Sequence, residues 1–169
     1  MKDSIDRLIQ LIKEAHGSLT SFLIKRAIGQ FIDWVYPTAY QAVDIAVIKG
    51  DKILLGQKKK DGELWRFIGG FSDVDSPSLE EDAIREVIEE ASITVVNPRY
   101  LGSCLVDDDR YKNSRHCIKT AIFIANYFSG IPVAGDDIDA VKWFDIKKLK
   151  REEIIEDHRN VLDIVNENL

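Results

Sequence analysis

The chain is poor in cysteine: Cys104 and Cys117 are its only two in 169 residues, and they stand thirteen positions apart. With no second cysteine pair or histidine pair at zinc-finger spacing, a disulfide scaffold and a structural zinc site are both excluded, and a reducing cytoplasmic setting is expected. Four prolines and ten glycines form no linker-like stretch, so disorder is not expected beyond the termini. No apolar run reaches the roughly 18 residues that a membrane span needs, and the opening MKDSIDRLIQLIKEA mixes acids into its apolar pattern, unlike a secretory signal. Membrane insertion is therefore not expected. Positive charge is also short: 23 Lys and Arg against 29 Asp and Glu leave a net charge of −6, which disfavours extended nucleic acid as a partner. A small nucleotide is compatible with that balance, because divalent ions bridge phosphates to carboxylates.

What remains is a 45% hydrophobic, 31% charged chain, long enough for one sizeable core. Residues 4–15 and 18–35 carry apolar positions at helical spacing and meet at Gly17. The second segment is apolar around much of its circumference, through Phe22, Leu23, Ile28, Phe31, Ile32 and Trp34. Residues 1–36 are thus expected to be a helical extension used for packing or for a symmetric homodimer, with the main domain over 37–169. After Pro37 the pattern changes to short β-branched runs at 42–48 and 52–55, joined by Lys49-Gly50-Asp51 as a hairpin. Further strands are expected at 100–106, 118–128 and 141–144, and helices at 77–91 and about 152–168. The class is α+β.

The helix at 77–91 has two capping options, Ser76 with Pro77 at the first helical position or Ser78 with Glu81. At 100° per residue, Ala83, Ile84, Val87, Ile88 and Ala91 share a packing face, and Asp82, Glu86, Glu89 and Glu90 gather on another. Glu86, Glu89 and Glu90 stand at i, i+3 and i+4, where like charges repel and weaken an isolated helix. A solvated acidic face would account for three glutamates alone. The run Trp65-Arg66-Phe67-Ile68-Gly69-Gly70-Phe71 shifts the balance, because paired glycines a short loop upstream let a backbone approach phosphates or offer a carbonyl to a metal.

Gly70 together with Arg85-Glu86-Val87-Ile88-Glu89-Glu90 resembles the signature box of the Nudix hydrolases. The resemblance covers about residues 40–168 and leaves the amino-terminal helices unexplained. It implies an α/β/α sandwich around a mixed sheet and Mg²⁺ or Mn²⁺ as cofactor. It also implies metal ligation by Glu86, Glu89, Glu90 and Gly70, with Arg85 orienting a glutamate and Glu89, Glu86 and Arg85 as the catalytic set. Three departures stand out. The spacing from Gly70 to Arg85 is one residue longer than in the family, and its early glutamate is missing, with Asp75 the nearest acid. Ser92 replaces the glycine after the helix, at a cost of ~1 kcal/mol where φ is positive, and Ile68 replaces a common proline.

Downstream, Asp107-Asp108-Asp109-Arg110-Tyr111, Ala134-Gly135-Asp136-Asp137 and Val141-Lys142-Trp143-Phe144 look like the ADP-ribose pyrophosphatase branch, including the Nudix domain fused to nicotinamide-mononucleotide adenylyltransferases. The expected reaction is hydrolysis of ADP-ribose to AMP and ribose 5-phosphate. Tyr40 and Trp65 are available rings, and Arg66, Phe71, Arg110, Tyr111 and Lys119 are the candidate substrate contacts. Arg110 is as well suited to pairing with Asp107–Asp109, Trp65 and Trp143 suit core positions, and Lys58–Lys60 suit a solvated turn. Glu89, the acids at 107–109 and 136–137, His116 and His158 are candidate bases. Two rivals stand beside this reading: a nucleoside-triphosphate pyrophosphatase, and a non-catalytic nucleotide sensor, whose DNA-binding form the absence of a basic winged-helix segment after residue 145 disfavours.

Overall fold

In a computed structural model the described residues are 36–169 together with Ile24, Arg26, Ile28 and Gly29, the last four in helical conformation. The chain divides into two compact units, Met1–Thr38 and Ala39–Leu169. The expected helices at 4–15 and 18–35, and the dimer surface placed on them, lie otherwise outside the described residues.

The second unit is built on a six-stranded mixed sheet. Its strands are β1 (Ala39–Lys49), β2 (Lys52–Gln57), β3 (Ile68–Phe71), β4 (Thr94–Val106), β5 (Cys117–Ser129) and β6 (Ala140–Asp145). The order is β4-β5-β1-β2-β6, and β1 is the hub. One edge of β1 pairs in parallel with β5 over ten positions, from Ala39↔Cys117 to Ile48↔Asn126. Its other edge is shared: β3 pairs with Ala42–Ile45, and β2 pairs with Val47–Lys49 across the Gly50-Asp51 turn. Gly50 takes φ +62 there, the left-handed conformation that a tight hairpin turn requires. β3 was not foreseen as a strand, because two glycines in four residues give no β-branched signal.

Side-chain alternation along β1 and β5 sends apolar residues to both faces. Val43, Ile45, Val47, Ala121, Phe123 and Ala125 join Ala83, Val87 and Ala91 of helix α1 (Leu79–Ala91) in one core. Ala46 and Ile122 join Val161, Leu162 and Val165 of helix α2 (Arg159–Asn166) in the other. The result is the expected sandwich, with a helix on each face of the sheet.

Two expectations need correction. Ile88, assigned to the packing face of α1, is 53% exposed. The helix beds its 83/87/91 stripe on the sheet with Ile84 half-buried beside it, and turns the adjoining 82/86/90 stripe inward, so Asp82, Glu86 and Glu90 are buried while Ile88 is not. The carboxy-terminal helix is also shorter than 152–168. Ile154 is extended and bridges Trp65, whose backbone bonds Glu153 and Ile155, so two single turns of 3₁₀ helix precede α2.

Candidate active site

Local chemistry fixes α1 at both ends. Ser78 is the N-cap, its hydroxyl accepting from Glu81 N–H at 3.2 Å, which selects the second capping option. Ser92 closes the helix at φ +55, where the family has glycine. Beyond it the 131–137 loop folds back: Val133 N–H donates to the Ala91 carbonyl and Gly135 N–H to the Glu90 carbonyl, both at 3.0 Å. A Cβ on Gly135 would lie 2.4 Å from the Glu89 carbonyl oxygen, so only glycine permits this approach. The loop thereby delivers Asp136 and Asp137 to Glu90, and carboxylate oxygens of the three lie within 4.8 Å of one another. Asp136 itself sits at φ +50, a sparsely populated conformation of the kind that collects at functional sites.

Strand β3 supplies the opposite wall. Gly69 N–H donates to Glu90 Oε2 at 3.0 Å, and the Glu86 carboxylate lies 2.7 Å from where a Gly70 Cβ would stand. The glycine pair therefore serves side-chain approach: the sheet edge is cut back so that two buried glutamates fit against it. Arg85 ties the group together. Its guanidinium lies 2.8 Å from Glu86 Oε1, donates to Glu89 Oε2 at 2.7 Å and to the Phe71 carbonyl at 3.0 Å, and lies 3.3 Å from Asp73. Asp73, two residues before the Asp75 considered in the sequence, is the acid that the long loop brings to Arg85.

These surroundings set the protonation states. Burial pushes Glu90 up to about 8; the Gly69 N–H and the nearby Lys58 ammonium oppose that rise, while Glu86 and Asp137 add to it. Burial also raises Glu86, with Arg85 opposing. Burial works against the Arg85 charge, but Glu86 and Glu89 outweigh it and hold its pKa above the ordinary value. Although burial opposes it, Asp137 is lowered by its ion pair with Lys58 and by a hydrogen bond shared with Glu90.

The acids border an open cleft of about 370 Å³, which Lys58, Lys60, Arg66, Asp108 and Arg110 also line. Asp108 takes Arg110 in a two-pronged pair, with contacts of 2.7–3.1 Å, and this holds Asp108 below the usual carboxylate range. The Arg110 guanidinium also lies 5.6 Å from the Phe71 ring and 5.9 Å from the Tyr111 ring. Tyr40 completes this aromatic group, 5.2 Å from Tyr111 and 6.3 Å from Phe71. Strand pairing brings the rings together, for Tyr40 and Tyr111 are 71 residues apart.

Other expectations sort by position. Glu89, 46% exposed, is held at the rim by Arg85, outside the lining of the cleft. Arg66 lines the cleft and bonds Asp61 at 2.9 Å. Lys119 does not line it: alternation on β5 turns Ile118 into the cleft and Lys119 to the opposite face, where it is exposed. The solvated turn expected at 58–60 is corrected for Lys58, whose side chain is 14% exposed and paired with Asp137. Trp65 packs on Phe144 and Trp143 on Tyr127, as core positions. His158 is buried; its Nδ1 accepts from Phe67 N–H at 3.2 Å, and burial lowers its pKa, so it is a neutral structural group beside Asp44.

Comparison with known proteins agrees with this geometry. A family model described as NUDIX domain matches residues 39–164. An NAD-capped RNA hydrolase NudC of Haemophilus influenzae is 32% identical over 114 residues, which is 64% of this chain and 40% of that protein. The Vibrio cholerae counterpart is 40% identical over 70 residues, 40% of this chain and 25% of that protein, so the chain spans well under half the length of these relatives. Among solved structures, an ADP-ribose pyrophosphatase from Streptococcus suis superposes with a TM-score of 0.59 at 24% identity, covering 78% of this chain and 92% of that one. The NUDIX domain of NrtR from Shewanella oneidensis, solved with ADP ribose, gives 0.62 at 18% identity, covering 85% and 97%. Fold, motif and family model converge: this chain belongs to the NUDIX domain family, the Nudix hydrolases.

Proposed function

We propose that the chain is a divalent-metal-dependent hydrolase of nucleoside diphosphate derivatives, with ADP-ribose the substrate that the cleft suits best. The carrying observation is the all-oxygen cluster of Glu90, Asp136 and Asp137 beside buried Glu86, walled by glycines and facing a cleft. The residues fit Mg²⁺ or Mn²⁺, hard cations that take oxygen ligands, and Glu90 in particular is a buried carboxyl group whose charge needs a cation. Glu86, Glu90, Asp136, Asp137 and the Gly70 carbonyl would hold the metal, with Glu89 adjoining them on the rim. When bound, the metal would polarise the diphosphate and lower the pKa of an attacking water.

The chain's own groups supply the rest. Arg85 keeps Glu86 and Glu89 oriented, and Gly69 N–H fixes the rotation of the Glu90 carboxylate. Asp136, exposed at the cleft and joined to no cation among the described ion pairs, is placed to take the proton of the attacking water. The Tyr40, Phe71 and Tyr111 rings with Arg110 offer a stacking surface for adenine. Arg110 is therefore read as a wall of that surface more than as a diphosphate contact, since Asp108 occupies its guanidinium.

A second reading follows from the relatives named NAD-capped RNA hydrolase, which favour an NAD-type dinucleotide or its RNA conjugate as substrate. One panel separates the readings: ADP-ribose, NAD, an NAD-capped oligonucleotide and ATP are each incubated with Mg²⁺, and kcat/KM is compared. Highest efficiency on ADP-ribose supports the first reading. Highest efficiency on NAD or the capped oligonucleotide replaces it with the second, and preference for ATP defeats both in favour of a triphosphate pyrophosphatase.

A further inference from the structure

Lys58 follows directly on β2, and its neighbourhood holds it at the inner end of the cleft. Gln57 accepts from Asp139 N–H at 2.8 Å, and Lys59 N–H donates to Asp139 Oδ2 at 2.7 Å, so the backbone on both sides of Lys58 is fastened to the 136–139 loop. Its stem is thereby packed while its ammonium reaches Asp137, which shares a hydrogen bond with Glu90. The ammonium thus stands against the same carboxylates that an Mg²⁺ ion would use. The two compete there, because two cations on one pair of carboxylates repel, and the divalent ion has twice the charge. The pair is open to water on its Asp137 side, which is 59% exposed, so the ammonium can leave that carboxylate without crossing the packed core. A lysine is suited to the exchange: it carries a point charge on four rotatable carbons, so the head can swing while the stem remains packed.

We propose that Lys58 is a movable counter-ion, neutralising Asp137 while no divalent cation is held there and turning to the substrate's phosphates once one is. The inference rests on the metal-dependent reading of this cleft. It gives one side chain two effects of opposite sign: Lys58 competes with the metal and assists the substrate. Lys60, which also lines the cleft but makes no described pair with these acids, is the control.

The test titrates Mn²⁺ into the full chain by calorimetry at pH 7.5 and compares wild type, Lys58→Met and Lys60→Met. Lys58→Met should bind Mn²⁺ at least about fivefold more tightly, the lower end of ordinary coupling between sites, and Lys60→Met less than about twofold. KM for ADP-ribose should rise in Lys58→Met, opposite to the metal effect. In wild type, acetylation of Lys58 read by mass spectrometry should accelerate several-fold on adding Mg²⁺, and this measurement stands even where Lys58→Met does not fold. Equal Mn²⁺ affinity in wild type and Lys58→Met, or a Lys58 acetylation rate indifferent to Mg²⁺, overturns the counter-ion role while leaving the hydrolase reading intact. A wild type that binds no Mn²⁺ overturns both.

Discussion

Replacing Glu90 with Gln separates two roles of one residue. The amide keeps the shape of a protonated carboxyl group: its oxygen accepts from Gly69 N–H and its NH₂ donates toward Asp137. Wild-type Glu90 moves from an ordinary value of 4.5 to about 8. A raised carboxyl pKa means that the folded protein holds a proton which the unfolded chain releases between those two values. In metal-free protein the stabilising contribution of protonated Glu90 is therefore complete below about 4.5 and is lost as pH rises through about 8. The slope is about 1.4 kcal/mol per pH unit for one proton, or roughly 3–6 °C in Tm for a chain of this size. Glu90→Gln has no such proton. In EDTA, its Tm should gain on that of wild type at this rate from pH 5 to 8 and then level off. Adding Mg²⁺ should stabilise wild type and not the variant, and turnover should fall by more than about 10²-fold. Parallel Tm curves across this range would refute the buried-proton account. Equal stabilisation by Mg²⁺ would refute the ligand assignment.

Gly70→Ala should abolish turnover while the protein still folds, because the new Cβ would meet Glu86 Oε1 at 2.7 Å and force that carboxylate aside; Mn²⁺ titration should show the loss directly. Ser92→Gly should raise stability by about 1 kcal/mol in urea unfolding, since φ +55 suits glycine, with kcat unchanged. Tyr111→Ala should raise KM for adenine-containing substrates about tenfold through loss of stacking and leave hydrolysis of an adenine-free diphosphate ester unaltered. Arg85→Met should lower kcat by at least about 10²-fold, because Glu86 and Glu89 lose the group that orients them, and Arg85→Lys should restore little of it, having no fork to span both.

Much of this architecture was legible from local rules. Alternating β-branched runs gave β1, β2, β5 and β6 within a few residues, and the 3.6-residue period with Ser78 and Glu81 gave α1. The buried acids Glu86 and Glu90 were nominated from their spacing and the glycine pair. What stayed hidden depends on distance along the chain. The 131–137 loop caps α1 through backbone bonds to Glu90 and Ala91, and no side-chain pattern announces such bonds. The pairing of Lys58 with Asp137 spans 79 residues, so a run of three lysines looked like a turn. Tyr40 is an available ring in the sequence, but its meeting with Phe71 and Tyr111 depends on β1 lying beside β3 and β5. Lys119 failed to join the cleft for the opposite reason: residue type suggested a phosphate contact, but strand parity points it away.

The most direct test of the central claim identifies the products. ADP-ribose is incubated with the wild-type chain in Mg²⁺ or in EDTA, and with Glu90→Gln in Mg²⁺, and the mixtures are resolved by mass spectrometry. The account predicts AMP and ribose 5-phosphate in equal amounts from wild type with Mg²⁺ only. Substrate intact in all three mixtures, or the same products formed at the same rate in EDTA or by Glu90→Gln, would contradict it.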